Sequence, residues 1–172
     1  MPNVKNLACI ALGANLGDGR LTLRRATAQL ASLAGRESAG SSIWITDPVD
    51  CPEDSPLFYN AALVLEPPTG MTPESLLEEL LTLETGHGRK RLGAINEPRP
   101  LDLDLIAFGQ ETRRTPGLTL PHPRAHKRLF VLGPLAEIAP GLILPGQGKT
   151  VAELLEGLPY SGARNLGEPL LD

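Results

Sequence analysis

The stretch Pro98-Arg99-Pro100-Leu101-Asp102-Leu103-Asp104-Leu105-Ile106-Ala107-Phe108 constrains this chain more than any other. Leu101 to Phe108 is apolar apart from two acids, the composition of a buried strand. Strand side chains alternate, so Asp102 and Asp104 share one face. Their Cα atoms sit ~6.5 Å apart at a rise of ~3.3 Å per residue. Leu101, Leu103 and Leu105 take the opposite face and anchor the strand. Beyond Asp104 the acid face turns apolar with Ile106 and Phe108, so the carboxylates crowd one end. Two acids buried without cations or arginine partners are strongly destabilising. Their spacing lets them hold a pair of hard cations, with phosphate oxygens between. An isolated Asp-x-Asp would favour the alternative, two solvated acids on the outer face of an edge strand. Arg99 and the basic run before it favour the metal-phosphate site.

The 172 residues are enough for one domain, 1–172, with a real core. No apolar run approaches membrane-spanning length, and the polar start Met1 to Asn6 is not a signal peptide. Cys9 and Cys51 give neither a disulfide framework nor paired metal-ligand spacing. The expectation is a reduced, cytoplasmic protein with no membrane partner. A net charge of −4 argues against a general nucleic-acid binder. The positive charge is nevertheless clustered. Arg89, Lys90, Arg91 and Arg99 precede the acids, and Arg124, Lys127 and Arg128 follow. Such clusters in an acidic chain suit a small anionic ligand better than a polymer.

Leu7 to Leu12 reads as a first strand, broken by the glycine-rich turn Gly13 to Gly19. Leu23, Ala26, Leu30 and Leu33 form a helical stripe that Gly35 can end. Ser41 to Thr46 and Phe58 to Leu65 read as strands, separated by a long loop with three prolines, a length often functional. Thr72 can cap a helix with Pro73 at its first position, and Gly86 ends it. A Gly- and Arg-rich loop to Pro100 leads into the acid-bearing strand. Leu118 to Leu120 is a short strand, Arg128 to Ile138 a helix, and Leu142 to Leu144 an edge strand. Thr150 to Glu153 is a capping box for a short last helix. Strand, helix, strand, strand, helix, strand is the ferredoxin-like βαββαβ arrangement, an α+β fold with an antiparallel sheet and helices on one face.

Arginine binds phosphate bidentately and stays charged, so Arg89, Arg91 and Arg99 beside paired carboxylates suit phosphoryl-type transfer. His122 and Arg128 can complete the site from the other side, His122 in a backbone fixed by Pro121 and Pro123. Two other motifs fall away. Gly146-Gln147-Gly148-Lys149-Thr150 resembles the end of a phosphate-binding loop, but Ile143 stands where that pattern needs glycine. His122 and His126 are four apart, yet Pro123 opposes the helix that would bring both onto zinc.

Taken together, Ala11-Leu12-Gly13-Ala14-Asn15-Leu16-Gly17, Phe58-Tyr59-Asn60-Ala61-Ala62, Glu84 to Arg91, Pro98 to Leu105, Leu120-Pro121-His122 and Arg128-Leu129-Phe130 resemble the 6-hydroxymethyl-7,8-dihydropterin pyrophosphokinase family of folate biosynthesis. The resemblance runs from about Ala8 to Leu142. It implies an enzyme that transfers pyrophosphate from ATP to the pterin's hydroxymethyl oxygen and releases AMP; a monomer is expected. Asp102 and Asp104 would hold two Mg²⁺ ions, and Arg89 and Arg99 would grip the transferred group. Glu84, Arg91, Leu105, Thr119, His122 and Arg128 would face ATP. The pterin would lie between Phe58 and Phe130, hydrogen-bonded to Asn60 and to backbone near Thr46 and Val49. The chain departs from the family's pattern where Asn96 replaces a loop aromatic, Leu81 a glutamine and Asp47 an uncharged residue. A pterin- or nucleotide-binding relative with little turnover and a metal-dependent hydrolase are the alternatives.

Overall fold

The computed structural model describes residues 6–47, 56–88, 100–159 and 162–171. Chain order begins β1 (Ala8–Ala14), α1 (Gly19–Ala31), β2 (Ser38–Gly40), β3 (Ser42–Thr46), β4 (Phe58–Leu65), α2 (Pro73–Gly86) and β5 (Asp102–Phe108). β6 (Arg113–Thr115), β7 (Leu118–Leu120), α3 (Leu129–Ile138), α4 (Val151–Glu156) and β8 (Ala163–Pro169) follow. The main sheet runs β5-β1-β4-β3-β8, antiparallel throughout, with β2 also on β4; β6 and β7 form a separate hairpin. This is the ferredoxin-like α+β architecture.

The period-two alternation of the strands splits the apolar residues into two cores. On one face Ile10, Leu12, Leu63, Leu65, Leu103 and Leu105 meet Leu23, Ala26 and Leu30 of α1 and Leu76 and Leu80 of α2. On the other, Cys9, Ala62, Val64 and Ile106 meet Val131, Leu132 and Leu135 of α3 and Val151 of α4. The two helices of the βαββαβ core therefore share a face, and the later helices cover part of the opposite one. Each fully buried large aliphatic contributes about 1.5–3 kcal/mol. Among the described residues no helix is long and apolar enough to cross a membrane.

Local chemistry starts these helices where it should. The Asp18 side chain accepts from the Leu21 N–H to open α1. Thr72 and Ser75 form a reciprocal cap on α2 with Pro73 in its first turn, and Thr150 with Glu153 does the same for α4. Such a cap contributes ~1 kcal/mol.

Several expectations shift. β1 continues through Gly13 to Ala14, so Gly13 is a strand residue and not the start of the turn. α1 ends at Ala31, before Gly35, with Ser32 as its C-cap. Leu142 to Leu144 forms no strand. Leu142 and Leu144 are buried, but the Leu142 carbonyl accepts from the Val151 N–H at 2.8 Å, which ties that backbone to α4. Phe108 lies in the first core, not beyond the acids on their face. Cys9 pairs with Ala107 and Ile10 with Leu105, so Ile106 is an extra residue, a bulge that reverses the alternation after it.

Cys9 sits fully buried in the second core, and loss of hydration pushes its thiol up to about 12. The thiolate is the reactive form. In a Cys51→Ser background the native protein is expected to resist a thiol reagent at pH 8, and to react with one equivalent once denatured. Rapid labelling of the native fold would contradict the burial.

Candidate active site

Strand register lays a row of residues across the sheet. Asp102 of β5 faces Gly13 of β1, Gly13 faces Asn60 of β4, Asn60 faces Trp44 of β3, and Trp44 faces Asn165 of β8. Directly opposed residues of an antiparallel pair point the same way, so all five share the face that carries Cys9 and Ala62. In the next row Asp104 faces Ala11, and Ala11 faces Ala62. Small residues therefore form the floor in front of both acids.

Gly13 decides what that floor can hold. A Cβ placed there would lie 3.4 Å from Asn60 Oδ1 and 3.9 Å from Asp102 Cβ. With hydrogen instead, the space between the amide and the carboxylate stays open. Asn60 and Asp102 stand two strand spacings apart, about 10 Å. Asp102 and Asp104 are only half-buried, so a ligand can reach them. Asn60 is buried, and its Nδ2 donates to Thr46 Oγ1 at 2.6 Å.

From the far side of β5 comes the loop after β7. The His122 N–H donates to the carbonyl of the bulged residue Ile106 at 2.8 Å, so the bulge fixes this loop against the strand. His122 Nδ1 accepts from the Arg124 N–H at 3.2 Å. The neutral ring thus carries its proton on Nε2. Partial burial holds the His122 pKa below its ordinary 6.5; Arg128 and Arg124 lower it further, and Asp102 opposes them. Asp102, His122 and Arg128 therefore sit within one electrostatic neighbourhood. The Arg128 guanidinium lies 5.3 Å from the Phe130 ring centroid, a cation–π contact that joins two sequence candidates.

Glu84, near the end of α2, is buried and accepts from the Leu103 N–H at 2.9 Å. It covers part of the outer edge of β5. Leu105 is buried in the first core, so only its backbone can meet a ligand. Thr119 is exposed on β7, and Phe58 is half-buried at the start of β4. Arg89, Arg91, Arg99, Val49 and Asn96 lie outside the described residues. Sequence reading missed Gly13 as a floor and Trp44 and Asn165 as members of the row. Only strand pairing reveals them, because nothing local marks a glycine as lying between two functional groups.

An α+β sheet with paired carboxylates, a neutral histidine and arginine on one side and a buried amide on the other defines a class of site for a phosphorylated ligand beside a polar one. The family model described as 7,8-dihydro-6-hydroxymethylpterin-pyrophosphokinase (HPPK) matches residues 9–140, and this chain belongs to that family. A Synechocystis protein named 2-amino-4-hydroxy-6-hydroxymethyldihydropteridine pyrophosphokinase is 40% identical over 149 residues, covering 87% of this chain and 74% of that protein. A Pseudomonas aeruginosa protein of the same name is 38% identical over 158 residues, covering 91% and 94%. In solved structures the fold recurs in a Plasmodium falciparum HPPK-DHPS chain with pteroate, at a TM-score of 0.69 and 15% identity. That match covers 88% of this chain and 43% of the longer one, and it speaks to fold alone.

A depressed histidine pKa has a definite sign. The unfolded chain binds the proton more readily, so His122 contributes stability that is complete above about 6.5 and lost as pH falls through its lowered folded value. NMR titration of the metal-free protein is expected to place His122 below 6.5. A value at or above that would remove His122 from this positive, partly dehydrated setting.

Proposed function

We propose that this chain transfers pyrophosphate from ATP to the hydroxymethyl group of 6-hydroxymethyl-7,8-dihydropterin, releasing AMP, as a step of folate biosynthesis. It would act as a cytoplasmic monomer. The row Asp102-Gly13-Asn60 carries this reading. One end suits cations and phosphate, the other a polar heterocycle, and the bare floor lets an acceptor approach the phosphate.

Asp102 and Asp104 would hold two Mg²⁺ ions. Among the described residues no group of three or more His, Cys, Asp or Glu could hold a metal. A half-buried pair completed by phosphate oxygens and water is how Mg²⁺ is commonly bound beside a nucleotide. Bound Mg²⁺ would neutralise charge on the triphosphate.

The chain's own residues then supply position. Asn60, supported by Thr46, holds the polar edge of the pterin, with backbone at Val49 adding to it. Phe58 and Phe130 offer apolar faces to a flat ring. His122 presents Nε2–H and Arg128 a guanidinium to phosphate oxygens, together with Glu84, Arg91, Thr119 and the Leu105 backbone along the nucleotide. Arg89 and Arg99 grip the group in transit. The pterin hydroxyl oxygen bonds to the β-phosphorus as the bond from that phosphorus to the α–β bridging oxygen breaks. The electron pair leaves with AMP, and the hydroxyl proton passes to solvent. Such transfers depend on positioning and charge stabilisation more than on covalent help from the protein.

The direct test supplies ATP, Mg²⁺ and the hydroxymethyl pterin and resolves the products. Pterin-dependent AMP is expected; phosphate release without pterin would indicate a hydrolase, and binding without turnover a binding protein. Asp102→Asn and Asp104→Asn should each lower turnover by at least about 100-fold while the protein melts cooperatively. Near-normal activity of either at saturating Mg²⁺ would sink the two-cation assignment.

Gly13→Val addresses the floor. The fold should survive, because the added Cβ meets its neighbours no closer than 3.4 Å and valine suits a strand. Its methyls would occupy the gap between Asn60 and Asp102. Pterin affinity, measured by calorimetry with an unreactive ATP analogue, should fall by about tenfold or more. Unchanged affinity would show that the pterin does not cross Gly13.

A further inference from the structure

We infer that the C-terminal strand β8 is a positioning element for the pterin-holding pair Thr46 and Asn60. This rests on the function proposed above. β8 lies beyond the residues that the family model matches, 9–140, and none of its residues enters the chemistry.

Without β8, β3 would be the edge of the main sheet. β3 pairs with β4 through Trp44, Ile45 and Thr46, and the Ser41 N–H on the Ala62 carbonyl continues that pairing into β2. Thr46 is the last residue of β3, and the end of an edge strand frays readily. β8 gives β3 a second neighbour along that same stretch, with Trp44 facing Asn165, Ile45 facing Arg164 and Thr46 facing Ala163. Thr46, whose hydroxyl accepts from Asn60 at 2.6 Å, is thereby fixed from both sides.

The brace is anchored at three points. At its start the Asp47 N–H, next to Thr46, donates to the Gly162 carbonyl at 2.9 Å. Gly162 has φ +68°, and a Cβ there would lie 3.2 Å from Asp47 Oδ2. Any other L residue is strained in that turn, asparagine least. At the far end the Leu170 N–H donates to the Ser41 carbonyl at 3.1 Å, and the Leu170 side chain is buried in the first core. Between them stands Glu137 of α3. One carboxylate oxygen accepts from Trp44 Nε1 and from Asn165 Nδ2, the latter at 3.2 Å. Its other oxygen accepts from the Ser42 N–H at 3.1 Å. One side chain thus ties β3, β8 and α3 together, and the Trp44 ring rests against Gly133 of α3.

Gly162→Val in the full chain strains the turn that holds the first anchor and leaves the other two. KM for the pterin is expected to rise about tenfold, with KM for ATP within about twofold, because the loss falls on one hydrogen-bonded end of one subsite. Gly162→Asn should restore most of it. Asn165→Ala, at an exposed position, serves as a milder variant if Gly162→Val does not fold, with an expected pterin effect of about threefold. Trp44 is the chain's single tryptophan, so its fluorescence reports the brace directly and should shift in both variants. A fall in kcat with both KM values unchanged means only less folded enzyme, and it overturns the inference. So does an unchanged pterin KM alongside a shifted Trp44 spectrum. If the wild-type chain binds no pterin at all, the proposed function fails and this inference with it. If the wild type binds pterin and the variants bind it equally, this inference alone fails.

Discussion

Everything in the candidate site depends on the register between β5 and β1. Side-chain period is two, so a slip of one residue would bury Asp102 and Asp104 among the leucines of the first core and expel Leu103 and Leu105. Burying two unpaired carboxylates is far more destabilising than the loss of one aliphatic contact. The same alternation that could misplace the acids therefore pins them, because the leucines between them can be satisfied in one register only. Gly13 acquires its place by the same pairing, opposite Asp102 on one side and Asn60 on the other.

The bulge at Ile106 adds a second consequence. It ends the acid face after two turns of the pleat and sends Phe108 into the first core. It also leaves the Ile106 carbonyl available to the His122 N–H. The loop carrying His122 and leading to Arg128 is thus fixed to the strand that carries the acids, at a point where regular pairing has lapsed. A bulge beside a functional site re-aims groups in this way. Here it brings positive charge and a neutral imidazole against Asp102 without lengthening the chain.

How much of this the sequence discloses follows the range of the interactions involved. Period and caps are local, and they locate β4, β7, α2, α3 and α4 within a residue or two. The shared face of Asp102 and Asp104 is also local, since it needs only alternation. The bulge is not, because it arises from pairing with β1, well over ninety residues away in sequence. For the same reason plain alternation puts Phe108 on the wrong face, and Gly13 reads as a turn until β4 and β5 are laid on either side of it. β8 carries almost no signal of its own. Its sequence Ala-Arg-Asn-Leu-Gly-Glu-Pro has little strand propensity, and it is a strand because β3, Glu137 and the first core hold it there. Family resemblance suggests what spacing cannot, namely that Phe58 and Phe130, from different elements, flank one ligand.

Glu84 shows how one side chain can serve the fold and the site together. The resemblance assigns it to the nucleotide, and the structure has it accepting from Leu103 in a buried setting. These are compatible. β5 is the outer strand of the sheet, and its outward backbone groups need partners. Asp102 and Asp104 lie on either side of Leu103, so a carboxylate that fixes the Leu103 amide also fixes the spacing of the two acids. By the two-residue period the Leu105 backbone faces the same edge further along, with its side chain committed to the core. Glu84 therefore closes the edge beside the acids and helps define where along β5 a ligand can still pair with backbone. The role that the resemblance implies for it at the nucleotide is compatible with action through the strand as well as by contact.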